Sequence, residues 1–158
     1  MNDPYAPPRA RVVDSPSHAI APPLWNPNAA ANWSLLFSPA FGAYLHMLNW
    51  RALGETSRAA TAKTWFIVSV ALLAIGIAVD LVLPDGSASN AGANSFAVVY
   101  LLVWYFASAR RQSRYVADKW DGDYPRRPWK RPLLVATAGL LGYAIVAFAV
   151  YWALPSRA

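Results

Sequence analysis

The chain has 158 residues, 56% hydrophobic and only 14% charged, with a formal net charge of +6. Charge this sparse cannot clothe a soluble fold of this size, and the absence of cysteine excludes disulfides, thiolate metal sites and a cysteine nucleophile. A pI near 9.9 raises nucleic acid as a partner. The cations flank apolar runs, however, so anionic lipid headgroups are the simpler counter-charge and no nucleic acid is expected.

Residues 1–25 read as a Pro-rich disordered tail. Prolines at 4, 7, 8, 16, 22 and 23 remove backbone donors and bias their predecessors away from helix. The same spacing denies the apolar run that a secretory signal requires. Pro7-Pro8 and Pro22-Pro23 could serve as polyproline ligands, but a solvated tail is the plainer reading. His18 sits in this tail without a second metal-binding side chain beside it.

Asn26 followed by Pro27 is a cap-and-proline helix start, and Ser38-Pro39 repeats it. The second helix is expected to reach Leu53, with Gly54 supplying a left-handed stop. On it Phe41, Leu45, Leu48 and Ala52 share one face, and Gly42, His46 and Asn49 another. Residues 26–54 are therefore read as an amphipathic, half-inserted or re-entrant helical pair. Phe41, Leu45 and Leu48 would lie in the acyl region, with His46 and Asn49 toward headgroups or the bundle. A full fourth span over 33–50 is the alternative.

Two stretches carry a resemblance. Asn2-Asp3-Pro4-Tyr5-Ala6-Pro7-Pro8-Arg9 resembles the Asn-Pro-Tyr-x-Pro-Pro opening of many small bacterial membrane proteins, with Asp3 as an added residue. Asn32-Trp33, Phe37, Pro39 and Tyr44 resemble the Asn-Trp…Phe…Pro…Tyr segment that precedes the spans in one bacterial family of small multi-pass membrane proteins of unknown function. Leu45-His46 stands where that family has Arg-Lys. The resemblance implies a bacterial inner-membrane location and a helical architecture, and no particular chemistry.

A helix is expected from Thr56, with Arg58 and Lys63 at its wet end and membrane from Trp65. Residues 65–83 are long enough to span, at about 28 Å. Pro84-Asp85-Gly86 ends the run, and residues 85–94 lack Lys and Arg, as suits an outer loop. Residues 95–109 form a second, short span of about 22 Å, and residues 133–153 an uncharged third. Between them the 110–132 loop holds Arg110, Arg111, Arg114, Lys119, Arg126, Arg127, Lys130 and Arg131. These eight of the fourteen Lys and Arg face three acids, a net +5 of the chain's formal +6. Lys and Arg near span ends are retained on the cytoplasmic side, so this loop and residues 51–64 face in, and the C-terminus faces out.

Candidates for chemistry are few. Asp80, the one acid inside an apolar run, is a speculative intramembrane polar site. Fifteen residues beyond Trp65 it stands about 22 Å across, within reach of the outer headgroups. His46 is the other intramembrane polar candidate, but one histidine without Cys or neighbouring acids assembles no metal site. Asp118, Asp121 and Asp123 lack the ligand spacing of a calcium loop. Ala138/Gly142, Ala149/Ala153 and Ala74/Ala78 are small-residue pairs, read as packing contacts within the chain. The composite expectation is an all-α integral membrane bundle of three full spans plus the N-terminal pair. No nucleophile–base pair, carboxylate dyad or metal cluster marks an enzyme, and no cofactor is implied. The expected role is a non-catalytic interaction or accessory protein facing anionic lipid or another protein. A subunit of an oligomeric transporter or channel is the alternative.

Overall fold

The structure is a computed structural model describing residues 20–82 and 89–153. Among these the regular elements are all helical. In chain order they are α1 (Pro27–Phe37), α2 (Pro39–Ala52), α3 (Thr56–Val82), α4 (Ser89–Trp104), a π-helical segment (Tyr105–Ala109), α5 (Arg110–Trp120) and α6 (Lys130–Ala153). Residues 1–19, His18 among them, residues 83–88 at the start of the expected outer loop, and residues 154–158 lie outside the described residues.

The local signals act largely as the residues dictate. Asn26 Oδ1 accepts from the Asn28 and Ala29 N–H groups at 3.0 and 3.2 Å, capping α1 with Pro27 in its first turn. Ser38 separates α1 from α2 differently from the expected side-chain cap. Its hydroxyl caps nothing, and the break is made by its backbone at φ 91°, a left-handed value rare for serine. Its N–H still closes α1 by donating to the Ser34 carbonyl at 3.0 Å. Gly54 at φ 75° ends the second turn-out, as its lack of a Cβ allows.

Three expectations are corrected. The basic stretch from Arg110 is not a loop at first. It continues α4 without a break through the π segment into α5, and only residues 121–129 are irregular. Asp121, left-handed at φ 51°, and Gly122 at φ 78° end α5. The helix before it is also longer than the expected apolar run, because residues 89–94, expected in the outer loop, form the first turns of α4. The sixteen residues of α4 with the five of the π segment reach about 31 Å.

The second correction concerns the tail, whose last residues are docked. Ala21 and Leu24 are buried, and Leu24 forms a parallel bridge with Arg126. The Leu24 N–H donates to the Pro125 carbonyl at 2.9 Å, and the Arg127 N–H to the Leu24 carbonyl at 2.8 Å. The third concerns the small-residue pairs: Ala74, Ala78, Ala138, Gly142 and Ala149 are exposed rather than packed within the chain.

The core sits at one end of the molecule. α2 runs back along the first half of α3, with Met47 and Trp50 packed against Ala59 and Ala62, and Tyr44 meeting Phe66 at 5.4 Å between ring centroids. Ala31, Ala43, Trp104 and Ala109 join α1, α2 and the π segment in a second cluster. Beyond this base the apolar side chains of α3, α4 and α6 are largely exposed. One helical stretch among the described residues, Thr56–Val79, is long and apolar enough to cross a membrane, with a mean hydropathy of 2.1.

Candidate interaction site at the basic face

The base is held by a chain of buried amides. Asn49 and Gln112 are 1% and 0% exposed. Asn49 Oδ1 accepts the Trp25 N–H at 3.1 Å, and its Nδ2 donates to the Trp25 carbonyl at 2.8 Å and to Gln112 Oε1 at 3.2 Å. Gln112 Nε2 donates onward to the His46 carbonyl at 2.9 Å. One side chain thus clamps both backbone groups of the docked tail and links α2 to α5. Trp25 adds Nε1–H to the Pro128 carbonyl at 3.2 Å, and the Arg127 guanidinium lies 4.7 Å from its ring.

His46 lies in this core, not at headgroups. Its ring meets Trp104 edge-on at 5.8 Å, and neither of its nitrogens nor Trp104 Nε1 makes a hydrogen bond. Burial lowers its pKa to about 4, and the Pro27 backbone opposes this from outside hydrogen-bond geometry. The imidazole is therefore neutral at physiological pH. Gly42 is required beside it, because α1 and Trp104 come within contact of its Cα hydrogens. A Cβ there would collide with Ser34 Oγ and stand 2.5 Å from Trp104 Cη2.

The eight expected cations divide by element. Arg110, Arg111, Arg114 and Lys119 project from α5, Arg126 and Arg127 from the loop, and Lys130 and Arg131 from the first turn of α6. Aromatic faces organise several of them: Arg110 over Phe106 at 5.7 Å, Lys119 over Trp120 at 4.8 Å and Arg126 over Tyr124 at 5.9 Å. Arg58, which sequence reasoning used only to mark the wet end of α3, joins this group. Its guanidinium lies 5.0 Å from the Trp50 ring and 4.5 Å from that of Tyr115, and its Nε is 3.8 Å from Glu55 Oε2. Tyr115 Oη donates to Glu55 Oε1 at 2.7 Å.

Asp80 falls in the last turn of α3, and its side chain lies outside the described residues. Among the described residues no three His, Asp or Glu side chains gather as metal ligands. Gln112 and Trp104 are the functional-core residues that sequence reasoning missed. Gln112 with Val116 is an uncharged i, i+4 pair in RRQSRYVADKW, and that was the available sign of an amphipathic helix. No family model, curated protein or solved structure matches this chain.

Proposed function

We propose that the chain is an integral protein of the bacterial inner membrane with three spans, α3, α4 with the π segment, and α6. In this reading it is non-catalytic and presents a basic helical base at the cytoplasmic face to anionic lipid or to another protein. The observation that carries this is the outward apolar surface of the three helices. Ile75, Phe96, Val135 and Trp152 are 58%, 56%, 74% and 71% exposed. Leaving such side chains in water forgoes about 1.5–3 kcal/mol each. Over more than a dozen of them, a base of this size could not offset the loss, whereas a bilayer removes it.

The N-terminal pair suits a half-inserted cap better than a fourth span. α2 runs level with the wet end of α3, from Trp50 beside Arg58 to Tyr44 beside Phe66. Trp33, Leu35 and Leu36 of α1 are exposed, an apolar face of the kind that would meet lipid. The amides of Asn49 and Gln112 find protein partners there, as buried polar groups must. Cysteine labelling tests the topology, since the chain has no native cysteine. Asp123→Cys in intact cells should resist an impermeant maleimide and react after permeabilisation. Labelling from outside overturns the orientation, and release of the chain by carbonate washing overturns membrane integration.

A further inference from the structure

A cleft of about 400 Å³ opens between the wet end of α3 and α5, lined among others by Trp50, Arg58, Thr61, Ser108, Arg111 and Arg114. Its one acidic lining residue is Asp118. Three guanidinium groups against Asp118 and the Glu55 carboxylate paired with Arg58 leave a formal +1, matched to a phosphate ester of charge −1. Arg58 is ordered in advance by Glu55, Trp50 and Tyr115. Arg111 and Arg114 are the unspent groups. They stand at i, i+3 on the same side of α5, both are exposed, and neither forms an ion pair among the described residues.

The π segment explains why these side chains face α3. One residue added to a helix turns everything after it by about 100°. That rephasing sets Gln112 and Val116 into the core and leaves Arg111 and Arg114 beside Arg58. Ser108, within the segment and three residues before Arg111, lines the same cleft, and its hydroxyl makes no hydrogen bond to a described group.

We infer that this cleft binds one phosphate ester, with Arg111 and Arg114 as its ligands and Arg58 as a fixed third cation. A planar guanidinium meets phosphate oxygens through two parallel N–H donors, so a pair of arginines can hold one group by geometry as well as charge. Its height follows from the membrane reading above, on which this clause rests. Arg58 precedes Trp65 by seven residues, about 10 Å along α3, so its side chain reaches the headgroup layer. An anionic phospholipid of the inner leaflet would present its phosphate there.

The test uses the full chain in phosphatidylcholine nanodiscs. Short-chain phosphatidic acid and phosphatidylglycerol are titrated in, and separately inorganic phosphate and glycerol 3-phosphate, with binding read by ³¹P line broadening. Arg111→Gln with Arg114→Gln should weaken the bound probe by at least about tenfold. Lys130→Gln with Arg131→Gln removes the same charge outside the cleft and should change affinity less than about twofold. Unchanged circular dichroism establishes that both double variants are folded. Binding of the lipids alone identifies a headgroup site, and equal binding of the soluble phosphates identifies a phosphorylated solute; either supports the cleft. Equal weakening by the two double variants, or no binding of any probe to the wild type, overturns it. Release of the wild-type chain by carbonate would sink the membrane reading but not the soluble-phosphate arm in detergent.

Discussion

Replacing Asn49 with leucine is the sharpest test of how the base is held. The side chain makes three hydrogen bonds, to both backbone groups of Trp25 and to Gln112 Oε1. Gln112 is fully buried, so its orphaned carbonyl oxygen costs about 1–3 kcal/mol. The Trp25 groups are only part-buried and water reaches them, so each lost bond costs about 0.5–1.5 kcal/mol. The sum centres near 4 kcal/mol, with a range of about 2–6 kcal/mol. Denaturant unfolding in mild detergent, followed by tryptophan fluorescence, measures it. Local loosening should precede global loss, because Trp25 holds Leu24 in its bridge with Arg126. Amide exchange at Leu24 and Arg127 should therefore accelerate first. Adding Gln112→Met to Asn49→Leu should cost about 1 kcal/mol less than the two single changes summed, since no orphan oxygen remains. Additive costs, or a single variant within about 0.5 kcal/mol of wild type, would refute the amide chain as a stabilising element.

Three further outcomes are expected. Gly42→Ala should destabilise by about 1–3 kcal/mol in the same unfolding assay, because its methyl would overlap Ser34 Oγ and Trp104; Ser34→Ala should restore part of the loss. His46 titrates near 4 when folded and 6.5 when unfolded. Between those values the unfolded chain binds the extra proton, so stability should fall as pH drops from 7 to 4, by on the order of 3 kcal/mol. The comparison is with His46→Phe, which should lack that component; matching pH profiles would count against it. Tyr115→Phe removes the 2.7 Å bond to Glu55 and should cost about 1 kcal/mol at this half-exposed site, read by the midpoint of unfolding.

Local chemistry was legible wherever the cause lies within a few residues. Asn26-Pro27 starts α1 and Gly54 turns the chain between helices, each where its side chain or φ dictates, and α3 begins at Thr56 as expected. The half of α2 with mixed polarity was legible as a face but not in its direction. Periodicity separates Gly42, His46 and Asn49 from Phe41, Leu45 and Leu48, yet says nothing of which set faces protein, and Leu45, expected in the acyl region, is buried. The polar set is buried because Trp25 and Gln112 supply partners 24 and 63 residues away from Asn49. Leu24 was illegible for the same reason, since its partners at Pro125 and Arg127 are distant in sequence. α5 was hidden by its charge: only Gln112 and Val116 are buried in eleven residues dominated by polar side chains.

The contacts between α3 and α4 set the register in which the helices leave the base. α3 and α4 meet through Ser69 and Tyr100, whose hydroxyls lie 2.8 Å apart, with the Trp65 and Tyr100 rings 5.9 Å between centroids. Ser69 Oγ also bonds the Trp65 carbonyl at 2.8 Å, so the pair is anchored to the backbone of α3. Such interhelical hydrogen bonds contribute only about 0.5–1.5 kcal/mol each. Their value is in register. Tyr100 stands one turn before Trp104, and Trp104 is the side chain packed on Ala43 and His46. A slip of α4 by one turn would pull Trp104 out of the base and carry Gln112 away from Asn49. The buried amides and aromatics at one end thus fix how α3 and α4 leave the base, a register that their exposed apolar faces do not set.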